Sequence, residues 1–151
     1  MSPLLAATLL TAHLLAAVAW VGGIFFAWMA LRPASLRLDP TPRLALWAAT
    51  FGRFFPWVWG FIAVLLASGH GLLAGAQAGR GLLAMAAIGW TMSLLFAYLY
   101  FGPYARLRRA VAASDTAQAA AAMARIRPVM ATNLTLGLLA STLGALHPLL
   151  G

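Results

Sequence analysis

The sequence predicts an all-α protein: an integral membrane four-helix bundle in a single domain, residues 1–151, with its N- and C-termini on the outer, periplasmic side of the inner membrane. Three observations predict it. The chain is 64% hydrophobic and 8% charged, whereas a soluble domain carries about 25% charged residues. Its apolar residues fall into four runs, each able to supply the ~20 residues a helix needs to cross a ~30 Å hydrocarbon core. Its positive charge is concentrated in two of the three connections between those runs.

The first span, about 4–31, lacks the basic opening of a signal peptide and exceeds the roughly 7–15 apolar residues of a cleavable one, so it is expected to persist as a helix. Arg32-Pro33 closes it. The second, about 54–75, has an amphipathic entry from Thr41, in which Leu44, Leu46, Trp47 and Phe51 are apolar while Arg43 and Arg53 are not. Gly52 and Pro56 are places where that entry can kink. The third, about 82–101, is expected to stop at Gly102-Pro103, and the fourth, about 129–150, to open at Pro128. The Ala-rich stretch from Arg106 to Arg127 is expected to form a short surface helix between them.

Loop charge sets the orientation. Arg32, Arg37 and Arg43 lie in the first connection, and Arg106, Arg108, Arg109, Arg125 and Arg127 in the third, against Arg80 alone in the second. Positive charge stays on the cytoplasmic side, so the first and third connections are assigned there and both termini face outward. The formal charge of +8 is thereby explained by membrane orientation. It is not read as a nucleic-acid surface, because the arginines flank hydrophobic spans. With no cysteine, disulfides, thiolate metal sites and c-type haem attachment are excluded.

The residues left to carry chemistry are His13, His70 and His147, one each in the first, second and fourth spans. Ionisable groups within a membrane are costly and therefore point to function; the alternative for each is a hydrogen bond to a neighbouring helix. All three fall in the outer half: His70 ~8 Å from the outer end of its span, His147 nearer still, and His13 ~14 Å below Leu4, at 1.5 Å per residue. His13 and His70 are expected to converge. His13, Ala16, Ala17, Trp20 and Gly23 share one helical face. In the fourth span Asn133, Ala140 and His147 recur every seven residues beside Gly137, Ser141 and Gly144, which predicts a small, polar inward face. Met85 and Met92 are also seven apart, with Met85 at a depth comparable to that of His70. Trp20 and Trp90 are expected to line the bundle, and most other Trp and Tyr residues to anchor at the membrane interfaces. Arg32 and Arg53 are expected to snorkel to lipid phosphates. His and Met without thiolate or carboxylate suit Cu(I) or haem iron better than Mg²⁺ or Ca²⁺. No P-loop, GxGxxG, GxSxG or HExxH motif is present, which leaves any enzymatic activity open.

The run from His13 through Trp20-Val21-Gly22-Gly23, then Gly52-Arg53-Phe54, Ser68-Gly69 and Gly79-Arg80-Gly81-Leu82-Leu83, resembles the copper-resistance protein D (CopD) family of bacterial membrane proteins. The resemblance covers the first three helices and implies an inner-membrane protein associated with copper handling, with His13 the matched motif histidine. A second similarity, carried by the first-helix histidine and the Arg32-Pro33 exit, is to the HemJ-type protoporphyrinogen oxidases and implies b-type haem.

The leading expectation is copper bound or transferred at His13 and His70 with Met85 or His147. The alternative is haem b ligated by His13 and His70 in a quinone-linked or porphyrin-related redox protein. A third is a cofactor-free assembly subunit. Expected partners are the lipid bilayer and either further copies of the chain or a membrane or periplasmic protein, with no nucleic acid.

Overall fold

The computed structural model describes residues 1–75 and 79–150, and side chains as far as residue 146. Four long helices succeed one another: α1 (Pro3–Ser35), α2 (Pro40–Gly75), α3 (Arg80–Ala112) and α4 (Thr116–Leu150). Each is long and apolar enough to cross a bilayer, so the chain is a multi-pass membrane protein. Alternating direction brings the start of α1, the end of α2, the start of α3 and the end of α4 to one end of the bundle, and the two arginine-rich turns to the other.

The helices contain 33, 36, 33 and 35 residues. At 1.5 Å per residue each is roughly 50 Å long, about 20 Å more than the hydrocarbon core of ~30 Å. The excess lies past the expected ends of α1 and α3 and before the expected starts of α2 and α4. Arg32-Pro33 does not close α1, which passes through a π-turn at Ala27–Leu31, where the Arg32 N–H reaches back to the Ala27 carbonyl, and ends at Ser35. Proline clashes with the carbonyl four residues earlier, and a widened turn relieves that clash without breaking the helix. Gly102-Pro103 likewise sits inside a π-turn, Tyr100–Tyr104, and does not stop α3. Pro56 and Pro128 also lie inside continuous helices.

The 106–127 stretch is not one surface helix. Its first part completes α3 and its last part opens α4, with a turn between them at 113–115. Ser114 adopts a left-handed conformation, φ 55°. Asp115 N–H bonds the Ala110 carbonyl at 2.9 Å and Ser114 N–H that of Val111 at 3.1 Å, the crossed pair that ends a helix in a Schellman motif. The Asp115 carboxylate then accepts the Gln118 N–H at 2.9 Å, capping α4.

At the arginine end, Leu107 and Ala110 of α3 are buried against Ala119, Ala122, Met123 and Ile126 of α4, whose alanines allow close approach. Beside them runs an aromatic core. Phe51 stacks on Phe55 at 4.8 Å, and Phe55 meets Tyr104 and Phe96 edge-on at 4.8 and 5.2 Å. The Trp47 indole donates to Ser35 Oγ at 3.2 Å, tying α2 to the end of α1. Burial thins toward the termini: the outermost buried residues are Ala16 on α1, Ser68 on α2 and Met92 on α3. The thinly packed half is the one that holds the histidines.

Candidate functional site

His13 stands at the outer edge of the buried face of α1, one turn before Ala16 and two before Trp20, both buried. That face packs on α2, where the imidazole meets Ser68. His13 Nδ1 lies 2.9 Å from Ser68 Oγ, and Ser68 Oγ lies 2.6 Å from the carbonyl of Val64 in its own helix. The serine has a single proton, and the carbonyl can only accept it. Ser68 Oγ therefore accepts from His13, which fixes the proton on Nδ1. Nε2 takes no part in a hydrogen bond among the described residues, and in the neutral ring it carries the free lone pair.

Gly69 eases this approach, since a Cβ there would stand 3.3 Å from His13 Cε1, a tight contact from which the ring would have to move by a few tenths of an ångström. Orientation of one imidazole nitrogen by a hydrogen bond, with the other left free, is the arrangement by which histidine serves as a metal ligand.

His70 is placed differently. Two residues beyond Ser68, it leaves α2 about 200° around the helix. There it is exposed, its Nδ1 donating to the Leu66 carbonyl at 2.7 Å and its ring edge-on to Trp90 at 5.9 Å. Among the described residues His13 and His70 share no partner, contrary to the expected convergence. The reason is helical phase: similar depth does not bring two side chains to one face. Trp90 is 47% exposed and does not line the bundle, unlike buried Trp20.

Met85 is half-buried and faces α4, its sulfur 3.6 Å from where a Cβ on Gly144 would be. The side chain of His147 lies outside the described residues. Among the described residues no group of three or more His, Cys, Asp or Glu could together hold a metal ion.

The arginines frame the opposite end. Arg32 lies over the Trp28 ring at 4.6 Å and Arg108 over Tyr104 at 5.8 Å, both cation–π contacts. The candidate site thus reduces to His13, its positioning residue Ser68, and Gly69. Sequence reasoning singled out the histidine but gave Ser68 no role. The available signal was its spacing, since an intramembrane serine one residue before a glycine marks a close helix crossing with a polar group in it. No protein-family model matches the chain, and no curated protein or solved structure matches it.

Proposed function

We propose that this chain is a bacterial inner-membrane protein with both termini outward, and that it binds haem b in its outer half through Nε2 of His13. The observation that carries the reading is the His13–Ser68–Val64 relay, which orients the imidazole, keeps a proton on Nδ1 and leaves Nε2 without a hydrogen-bond partner among the described residues. The uneven distribution of arginine supports the orientation.

The two family resemblances agree on His13 and differ in what it holds. A copper ion coordinated by protein alone needs several donors in one place, whereas His13, His70 and Met85 engage Ser68, Trp90 and the Gly144 region respectively. An iron porphyrin brings nitrogen donors of its own and would need only one or two from the protein, so a lone oriented imidazole would suit it better. Bound there, haem would supply one-electron chemistry. His13 would hold the iron, while Ser68 would keep the ring in its ligating tautomer.

The test is the absorption spectrum and metal content of detergent-purified chain, from cells supplied with haem precursors and copper. A Soret band that His13→Ala removes, with the protein still inserted in the membrane, is the expected result. Stoichiometric copper without a Soret band would replace haem by copper. Neither cofactor after supplementation would leave only an assembly subunit.

A further inference from the structure

Where α1, α2 and α4 meet at the arginine end, a shallow depression opens between them. Arg32 of α1, Arg43 of α2 and Arg127 of α4 all line it, with Trp28 beside them and the hydrogen-bonded pair Trp47 and Ser35 buried beneath. Arg32 and Arg127 are exposed and Arg43 is half-buried. The depression encloses only about 10 Å³, so a ligand there lies across its rim, against the guanidinium groups, and does not enter the bundle.

Three cations from three helices thus face one spot without a counter-charge. The chain has two acidic residues, Asp39 and Asp115; the second caps α4, and neither lines the depression. Among the described residues the arginine side chain that hydrogen-bonds to the protein is Arg109, to the Ala105 carbonyl at 3.3 Å, and the three at the depression have no such partner. The Arg32 guanidinium carbon stands 4.6 Å from the centroid of the Trp28 ring, a contact through its face that leaves the N–H groups along its edge free to donate. An arginine edge of this kind matches a phosphate in a bidentate pair.

Position along the helices narrows the choice of anion. Counted from the opposite end of the bundle at 1.5 Å per residue, Arg127 stands ~35 Å along α4, Arg32 ~43 Å along α1 and Arg43 ~48 Å along α2. A bilayer with both headgroup layers is ~40–45 Å thick, so the three arginines bracket the layer of lipid phosphates at their end.

We propose that this three-helix depression binds the headgroup of a phospholipid with net negative charge, its phosphate held by Arg32, Arg43 and Arg127. The site is independent of His13, which lies ~28 Å away along α1 at 1.5 Å per residue. A zwitterionic headgroup carries the same phosphate but adds an ammonium that the arginines repel, so the site distinguishes phosphatidylglycerol from phosphatidylethanolamine.

The test titrates the full-length chain, purified in detergent, with these two lipids carrying identical acyl chains, and counts bound lipid by native mass spectrometry. One phosphatidylglycerol per chain, retained at least roughly tenfold more tightly than phosphatidylethanolamine, is expected from three arginines at headgroup level. Arg32→Gln/Arg43→Gln/Arg127→Gln should abolish that preference. Arg37→Gln/Arg106→Gln/Arg125→Gln, which removes the same charge from exposed positions outside the depression, should leave it intact. A preference that survives the first variant, or is lost equally in both, overturns the proposal. Displacement of phosphatidylglycerol by an equal concentration of glycerol phosphate, the headgroup without acyl chains, also overturns it and assigns the site to a soluble organophosphate. Should the first variant not fold, equal retention of the two lipids by the unaltered chain overturns it equally.

Discussion

Gly23 of α1 lies directly beneath the Phe54 ring of α2, and a Cβ at position 23 would stand 2.7 Å from the ring's Cε2 atom. Its neighbour Gly22 has nothing within 4 Å of the corresponding position. The paired glycines after Trp20 are therefore unequal: one allows two helices to approach and the other faces open space.

Gly22→Ala should leave thermal stability in detergent unchanged or slightly raised, since alanine is the better helix former. Gly23→Ala must displace Phe54 and should destabilise by about 1–3 kcal/mol, the usual range for overpacking. Equal melting curves for the two variants would contradict the helix contact described.

Ser68→Ala removes the acceptor that orients His13 without touching the imidazole. Loss of such a supporting hydrogen bond typically weakens metal binding about 10- to 100-fold. If His13 ligates haem, the variant should retain the cofactor more weakly and Ser68→Thr should largely restore it. His70→Ala should leave haem content unchanged, because His70 projects to the other side of α2.

The aromatic core should dominate stability. Phe51 is 2% exposed and in contact with Trp47, Phe55 and Tyr104, so Phe51→Ala should cost about 3–5 kcal/mol. Trp57, on the same helix but 68% exposed, should cost within about 0.5 kcal/mol on truncation. Unfolding in a denaturing-detergent titration would rank the two.

Orientation is testable with single cysteines, because the chain has none of its own. Gly79→Cys and Ala113→Cys should be labelled by an impermeant maleimide from opposite sides of the membrane, Gly79→Cys from outside. Labelling of Ala113→Cys from the periplasm would reverse the proposed topology.

The turn between α3 and α4 offers a local check. Ser114 occupies the left-handed region, φ 55°, which costs a non-glycine residue about 1–2 kcal/mol, partly offset by the greater chain entropy lost by glycine. Ser114→Gly should therefore stabilise by about 0.5–1 kcal/mol, visible as a raised melting temperature.

Composition and hydropathy determined by themselves that the chain is helical and crosses a membrane four times, because a bilayer requires long apolar runs whatever they pack against. Helical periodicity also set the inward face of α1, where His13, Ala16, Trp20 and Gly23 share one stripe, since that stripe depends only on residues a few positions apart. Helix ends were less legible. Prolines at 33 and 103 read as stops and Pro128 as a start, yet all three lie inside helices, the first two beside or within π-turns. The pairing of His13 with Ser68, the separation of His70 from both, and the Asn133–Met92 contact between α4 and α3 were decided by the tertiary structure alone. Each depends on the rotation of one helix against another about its long axis, and the interhelical contacts that fix it join residues 41 to 55 positions apart in the chain.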